Sequence, residues 1–117
     1  MALTHFQSEL CEILKKYHMG EANAVHSWRL EQFFNVDRST LQRNINKLRA
    51  LHVPICSSNS GYFFAQTQDE VDRTLRRMNT SMKTMFQARD GLARAVPAQR
   101  EAVRFTVRVC LQREQPR

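Results

Sequence analysis

The chain has 117 residues, 42% of them hydrophobic and 25% charged, which allows one buried core but not two and excludes wholesale disorder. Eighteen Lys and Arg against eleven Asp and Glu leave a net charge of +7 and a pI near 10.0, a long-range attraction for polyanions. No apolar run of about 18 residues occurs and Met1 to Leu14 holds no apolar leader core, so the chain is expected to be cytoplasmic and off the membrane, with nucleic acid as the leading polyanion.

From Leu3 to Tyr17 the apolar positions Leu3, Phe6, Leu10, Cys11, Leu14 and Tyr17 recur at three and four residues, the spacing of one helix face, with Thr4 or Ser8 able to cap its start. Gly20 and Asn23 break that pattern across 20–26, which reads as a connection. Ser27 then serves as an N-cap for a short helix with Leu30, Phe33 and Phe34 inward and Trp28 stapled to the first helix. Asn35 suits the left-handed residue of a tight turn, Val36 is an apolar plug, and Asp37 caps the next helix. In that helix, 38–51, Leu41, Ile45 and Leu48 form the inward stripe. The remaining face is polar and basic, with no Asp or Glu from Arg38 to Leu51.

Pro54 ends the helical run, and Ile55–Cys56 and Tyr62–Phe63–Phe64 read as two strands around a Ser57–Gly61 turn that carries no Lys or Arg. Thr67 and Glu70 have the spacing of a capping box. Beyond it Val71, Leu75, Met78, Met82, Met85, Leu92 and Val96 follow steps of four and three, with Arg89 in the one other seam position, which is a heptad. Gly91 and Pro97 bracket the expected helix end. The alternation of Val103, Phe105, Val107, Val109 and Leu111 favours a C-terminal strand, although Val103, Val107 and Cys110 also obey helical spacing.

The expected fold is therefore mainly α with a small β-hairpin wing: a winged helix-turn-helix over 1–66, a long and possibly coiled-coil helix over 67–96, and a strand and tail over 97–117. Cys11, Cys56 and Cys110 form no C-x-x-C pair, and with His5, His18, His26 and His52 they match no ligand spacing, so reduced thiols, no metal and no cofactor are expected. Enzymatic activity is not expected either. The chain has no Gly-rich phosphate loop and no nucleophile motif, and Cys11 with His18, seven residues apart on one helix face, reads as packing.

The stretch HSWRLEQFFNVDRSTLQRNINKLRALHVPICSSNSGYFFA, from His26 to Ala65, resembles the winged helix-turn-helix family of the biotin repressor N-terminal domain and related bacterial regulators. The run DRSTLQRNINKLRAL, the break HVPI and the wing ending in GYFF carry the likeness, and a looser one extends to small bacterial and prophage winged-helix proteins. Asn35 stands where such turns usually hold Gly, and no ligase domain follows, so the resemblance implies DNA binding without ligation.

On this reading the 38–51 helix enters the major groove of double-stranded DNA. Ser39 and Thr40 bond phosphates, while Gln42, Arg43 and Asn46 reach base edges, Arg43 suiting guanine and the two amides adenine. Lys47 and Arg49 hold the backbone, Arg38 belongs to the same DNA-binding set, and the wing contributes Asn59 and Ser60. The heptad residues Val71, Leu75, Met78, Met82, Met85 and Leu92 offer a homodimer seam, against the alternative that they pack on the first helix of their own chain. A small transcriptional regulator is the function expected. A phage or mobile-element accessory factor, and a winged helix used for protein binding, are the competing readings.

Overall fold

A computed structural model describes residues 2–95, arranged as α1 (His5–Tyr17), a single 3-10 turn (Glu21–Asn23), α2 (Ser27–Phe34), α3 (Arg38–Ala50), β1 (Ile55–Ser58), β2 (Gly61–Phe64) and α4 (Gln68–Ala95). This is a mainly helical winged helix-turn-helix with a two-stranded wing and a long following helix. The expected strand at 103–111, with Val96 and Cys110, lies outside the described residues. No helix among the described residues is long and apolar enough to cross a membrane. Among the described residues, one compact unit runs to Arg77 and a second begins at Met78.

Each helix of the first unit starts and stops for a local reason. Thr4 caps α1 in a reciprocal box, its hydroxyl accepting from Gln7 N at 3.1 Å while Gln7 Oε1 accepts from Thr4 N at 3.1 Å. Asp37 caps α3 by accepting from Thr40 N at 2.7 Å. Thr40's two hydrogen bonds hold the Asp37 carboxyl below its ordinary value. At the far end of α2, Asn35 adopts the left-handed conformation (φ 54°, ψ 51°), and Val36 N and Asn35 N return to Glu31 O and Gln32 O at 3.0 and 3.3 Å. His52 repeats this device after α3, with φ 70° and bonds from Val53 N to Leu48 O and from His52 N to Arg49 O. Both helices thus end in the paired turn that normally uses glycine.

The core is built from Leu10 and Leu14 of α1, Val25, Leu30 of α2, Leu41, Ile45 and Leu48 of α3, and Ile55, closed by Leu3, Phe6, Phe34, Val36, Val53, Tyr62 and Phe64. Two expectations for α2 need correction. His26, not Ser27, occupies the N-cap position. Phe33 does not point inward: it is 70% exposed, with its ring edge-on to that of Phe34 at 5.0 Å. Leu30 and Phe34, four residues apart, suffice to face the core, so Phe33 is left at the rim. Trp28, 54% exposed, lines an open groove with Ile13 and Tyr17 rather than sealing it, and Arg29 sits over its ring.

The wing pairs in a two-residue hairpin register, Ile55 with Phe64 through Ser58 with Gly61. Segment 18–25, which the sequence presents as a plain connection, pairs with the outer side of β2. Tyr62 and Val25 exchange both backbone bonds at 2.8 Å, Phe64 N donates to His18 O, and Gly20 N donates to Phe64 O. On the other side, β1's outward groups are also taken. Ile55 N donates to Val53 O at 2.9 Å and Ile55 O accepts from Arg49 Nε at 2.8 Å. Ser57 N donates to Thr74 Oγ1, and Ser57 O accepts from that same hydroxyl.

α4 opens with the expected capping box, Glu70 N donating to Thr67 Oγ1 and Thr67 N to Glu70 Oε1. The Glu70 carboxylate does more than close the box. It is buried, and also accepts from Gln66 N at 2.7 Å and from Glu21 N at 2.8 Å. Arg73, which donates to Glu21 and to Asp69, stands beside it.

In the second unit, Met82, Met85, Phe86 and Leu92 lie exposed along α4, and Arg94 pairs with Asp90 at 3.3 Å. α4 passes through Gly91 and continues to Ala95.

Candidate nucleic-acid interface

Helical spacing sets the exposed face of α3. With Leu41, Ile45 and Leu48 inward, Ser39, Arg43 and Asn46 lie on the opposite side. Arg38 and Gln42 border it towards the wing, and Thr40 and Lys47 towards α1. All are exposed except Thr40, which is half-buried. None of the ion pairs among the described residues involves an α3 side chain. Arg43 acts on the carboxyl of the N-cap Asp37, and a cationic face not tied up in ion pairs keeps its charge available to an incoming anion.

The side chains of this face are linked to one another. Tyr62 on β2 donates its hydroxyl to Gln42 Oε1 at 2.6 Å, and Gln42 Nε2 donates to Asn46 Oδ1 at 3.3 Å. Arg43 Nη2 reaches Thr40 Oγ1 at 3.4 Å. Thr40 O in turn accepts from Asn44, which also accepts from Gln7 of α1 at 3.0 Å. Burial pushes the Tyr62 phenol up despite the opposing charges of Arg49 and Arg38, so the hydroxyl keeps its proton at neutral pH.

Arg49 stands apart from the other cations. Its Nε donates to Ile55 O at 2.8 Å and its Nη2 to Ser57 Oγ at 3.3 Å, so the guanidinium ties α3 to β1. Burial lowers its pKa from the ordinary arginine value, and it stays charged. At the wing tip, Ser60 N turns back to Ser58 Oγ at 3.1 Å, and Asn59 Oδ1 accepts from Arg77 Nη1 at 3.3 Å. The wing has no basic residue of its own, but the third turn of α4 sets Arg77 beside its tip. Sequence reasoning missed this cation. The signal available was the spacing from Thr74, whose hydroxyl bonds Ser57, to Arg77 one turn later on the same helix face.

The structure therefore gathers Arg38, Ser39, Thr40, Gln42, Arg43, Asn46 and Lys47 on one helix, draws Arg49 into the joint with the wing, and places Asn59 and Ser60 at the tip. Of the heptad residues, Val71 and Met78 are half-buried, while Leu75, Met82, Met85 and Leu92 are exposed. Cys11 and Cys56 are free thiols, each pushed up in pKa by burial first. Comparison with protein-family profiles, with curated proteins and with solved structures returns no significant match.

Proposed function

We propose that the chain is a sequence-specific double-stranded DNA-binding protein, a small cytoplasmic transcriptional regulator that reads the major groove with α3. The observation that carries this reading is the α3 face itself: cationic and amide side chains at helical spacing, free of acids and of ion-pair partners, beside a wing whose tip holds Arg77. The net charge of +7 and the likeness of residues 26–65 to the biotin-repressor winged helix support it. Ser39, Thr40, Arg38 and Lys47 contact phosphates, Arg43 reads a guanine edge, and Arg77 with Asn59 and Ser60 touches the flanking backbone. Arg49 serves the interface from behind, by fixing the wing to α3.

The test is selection of binding sites from random duplexes at two salt concentrations. An enriched motif whose affinity falls steeply with salt is expected, because phosphate neutralisation releases counterions. Arg43→Ala is expected to weaken binding to that motif by about 1–3 kcal/mol and to flatten the preference at one base pair. Absence of duplex binding would favour a protein-binding scaffold, and unchanged affinity in the variant would remove Arg43 from the interface.

A second reading concerns assembly. Leu75, Met82, Met85 and Leu92 are exposed at heptad positions on a 28-residue helix, an arrangement suited to pairing with a second copy. Light scattering at tens of micromolar is expected to give twice the 13.7 kDa chain mass, with an inverted repeat in the selected motif. A chain mass of one copy would discard the homodimer. A selected motif without symmetry would point towards a phage or mobile-element accessory factor.

A further inference from the structure

We infer that the groove between α1 and α2 is a docking site for an acidic segment of a partner protein, one that carries apolar anchors between Asp or Glu residues. The site is separate from the DNA reading and does not depend on it, since no residue of α3 lines the groove. Buried Val25 and Leu30, with half-buried Ile13, give it an aliphatic floor. Tyr17, Trp28 and Phe33 line it while remaining 61%, 54% and 70% exposed, around a hollow of about 630 Å³. A large apolar patch left in water on a small folded unit marks a surface that something covers.

The charge beside the rings selects the occupant. Lys16 Nζ lies 5.4 Å from the centre of the Tyr17 ring, and the Arg29 guanidinium 5.6 Å from that of Trp28, so each helix sets a cation against an aromatic of the groove. Neither cation has an ion-pair partner among the described residues. The acids of the two helices, Glu9, Glu12 and Glu31, lie outside the lining, and Glu9 is bonded to His5 at 2.9 Å. Trp, Tyr and Arg are the side chains that dominate contact energy at protein interfaces. A partner's apolar side chains meet the floor and the rings here, and its carboxylates meet Lys16 and Arg29. Other occupants fit less well. A second copy docked by the same face would gather both pairs of cations with no carboxylate from either groove. A small molecule would lie open to water along the groove, whereas ligand sites enclose most of their ligand. A single nucleic-acid strand follows a longer cationic track with its bases stacked on rings, and two cations over an aliphatic floor suit a peptide better.

The experiment is selection of short random-sequence peptides displayed against the intact chain, followed by titration of the enriched peptides, synthesised without Trp. Trp28 is the chain's one tryptophan, so its emission reports on the groove. Enriched peptides are expected to hold Asp or Glu on both sides of Leu, Ile or Phe and to shift the Trp28 emission. Trp28→Ala, and Lys16→Glu combined with Arg29→Glu, change exposed side chains, with folding checked by circular dichroism. Each is expected to weaken a fluorescein-labelled enriched peptide by about tenfold or more, while Trp28→Ala binds duplex DNA as the intact chain does. No enriched peptide, or enriched peptides without acids, would overturn the inference. Acidic peptides that leave the Trp28 emission unmoved and survive Trp28→Ala sit elsewhere on this basic chain, and would overturn it as well. A short oligothymidine that shifts the emission more than the enriched peptides would reassign the groove to single-stranded nucleic acid, and a two-copy mass that falls to one copy in Trp28→Ala would reassign it to a second chain; either result overturns the inference. Absence of duplex binding by the intact chain would overturn the DNA reading alone, because the peptide titration reads a different surface.

Discussion

Gly61→Ala is expected to lower folding stability by on the order of 3–4 kcal/mol, a large effect for the addition of one methyl group. Gly61 opens β2 with φ 121°, a conformation that an L side chain rarely adopts. A methyl group there would overlap the Val25 carbonyl and press within 2.8 Å of His26 N. Val25 cannot retreat, because it exchanges two backbone bonds with Tyr62 and lies in the core. Relief would require breaking the pairing of β2 with segment 18–25, exposing backbone groups that now satisfy one another. Urea unfolding followed by circular dichroism would measure the cost, and a midpoint within error of the native chain would show that this contact is not as rigid as its geometry indicates.

Glu70 supplies the other large effect. Its two carboxylate oxygens gather three backbone N–H groups, of Gln66, Thr67 and Glu21, and so bind the start of α4 to the turn before α2. Glu70→Ala would leave these donors without a partner, at about 3 kcal/mol. Glu70→Gln should cost less but not nothing, since the amide nitrogen that replaces one oxygen would face a donor. Burial alone would raise the Glu70 pKa, but the three backbone donors and Arg73 outweigh it and hold the carboxyl below its ordinary value. A folded-state pKa below the unfolded one means that the stabilisation is complete above the unfolded value of about 4.3 and is lost as pH falls through the folded value. The native chain should therefore lose stability on acidification below about pH 4.3, more steeply than Glu70→Gln. Parallel acid titration curves for the two chains would remove Glu70 as the cause.

How far such contacts can be foreseen depends on whether they leave a period in the sequence. Leu41, Ile45 and Leu48 repeat at helical spacing over 13 residues, so their burial is legible, as are Asp37 as a cap and Asn35 as the left-handed turn residue. The eight residues of α2 give only about two turns, too few for a pattern to fix which of Phe33 and Phe34 faces inward. Val25 extends the sheet as a single residue and has no alternation to announce it. Among cations the difficulty is of another kind. Arg43, Arg49 and Arg77 are chemically alike, and only tertiary contact with Thr40, with Ile55 and Ser57, or with Asn59 separates their positions. The α3 face was thus legible as a set of residue types, but not the Tyr62 hydroxyl that orders two of them.

The wing, finally, has both margins closed. Val25, His18 and Gly20 occupy the outward groups of β2, while Val53, Arg49 and Thr74 occupy those of Ile55 and Ser57 on β1. A strand margin with free N–H and C=O groups is a template on which another chain can add a strand, the usual first step towards sheet-type aggregates. At these positions the template is already filled. A hairpin as apolar as Ile55–Cys56 facing Phe63–Phe64 can therefore sit near the surface of a small basic protein without recruiting further strands.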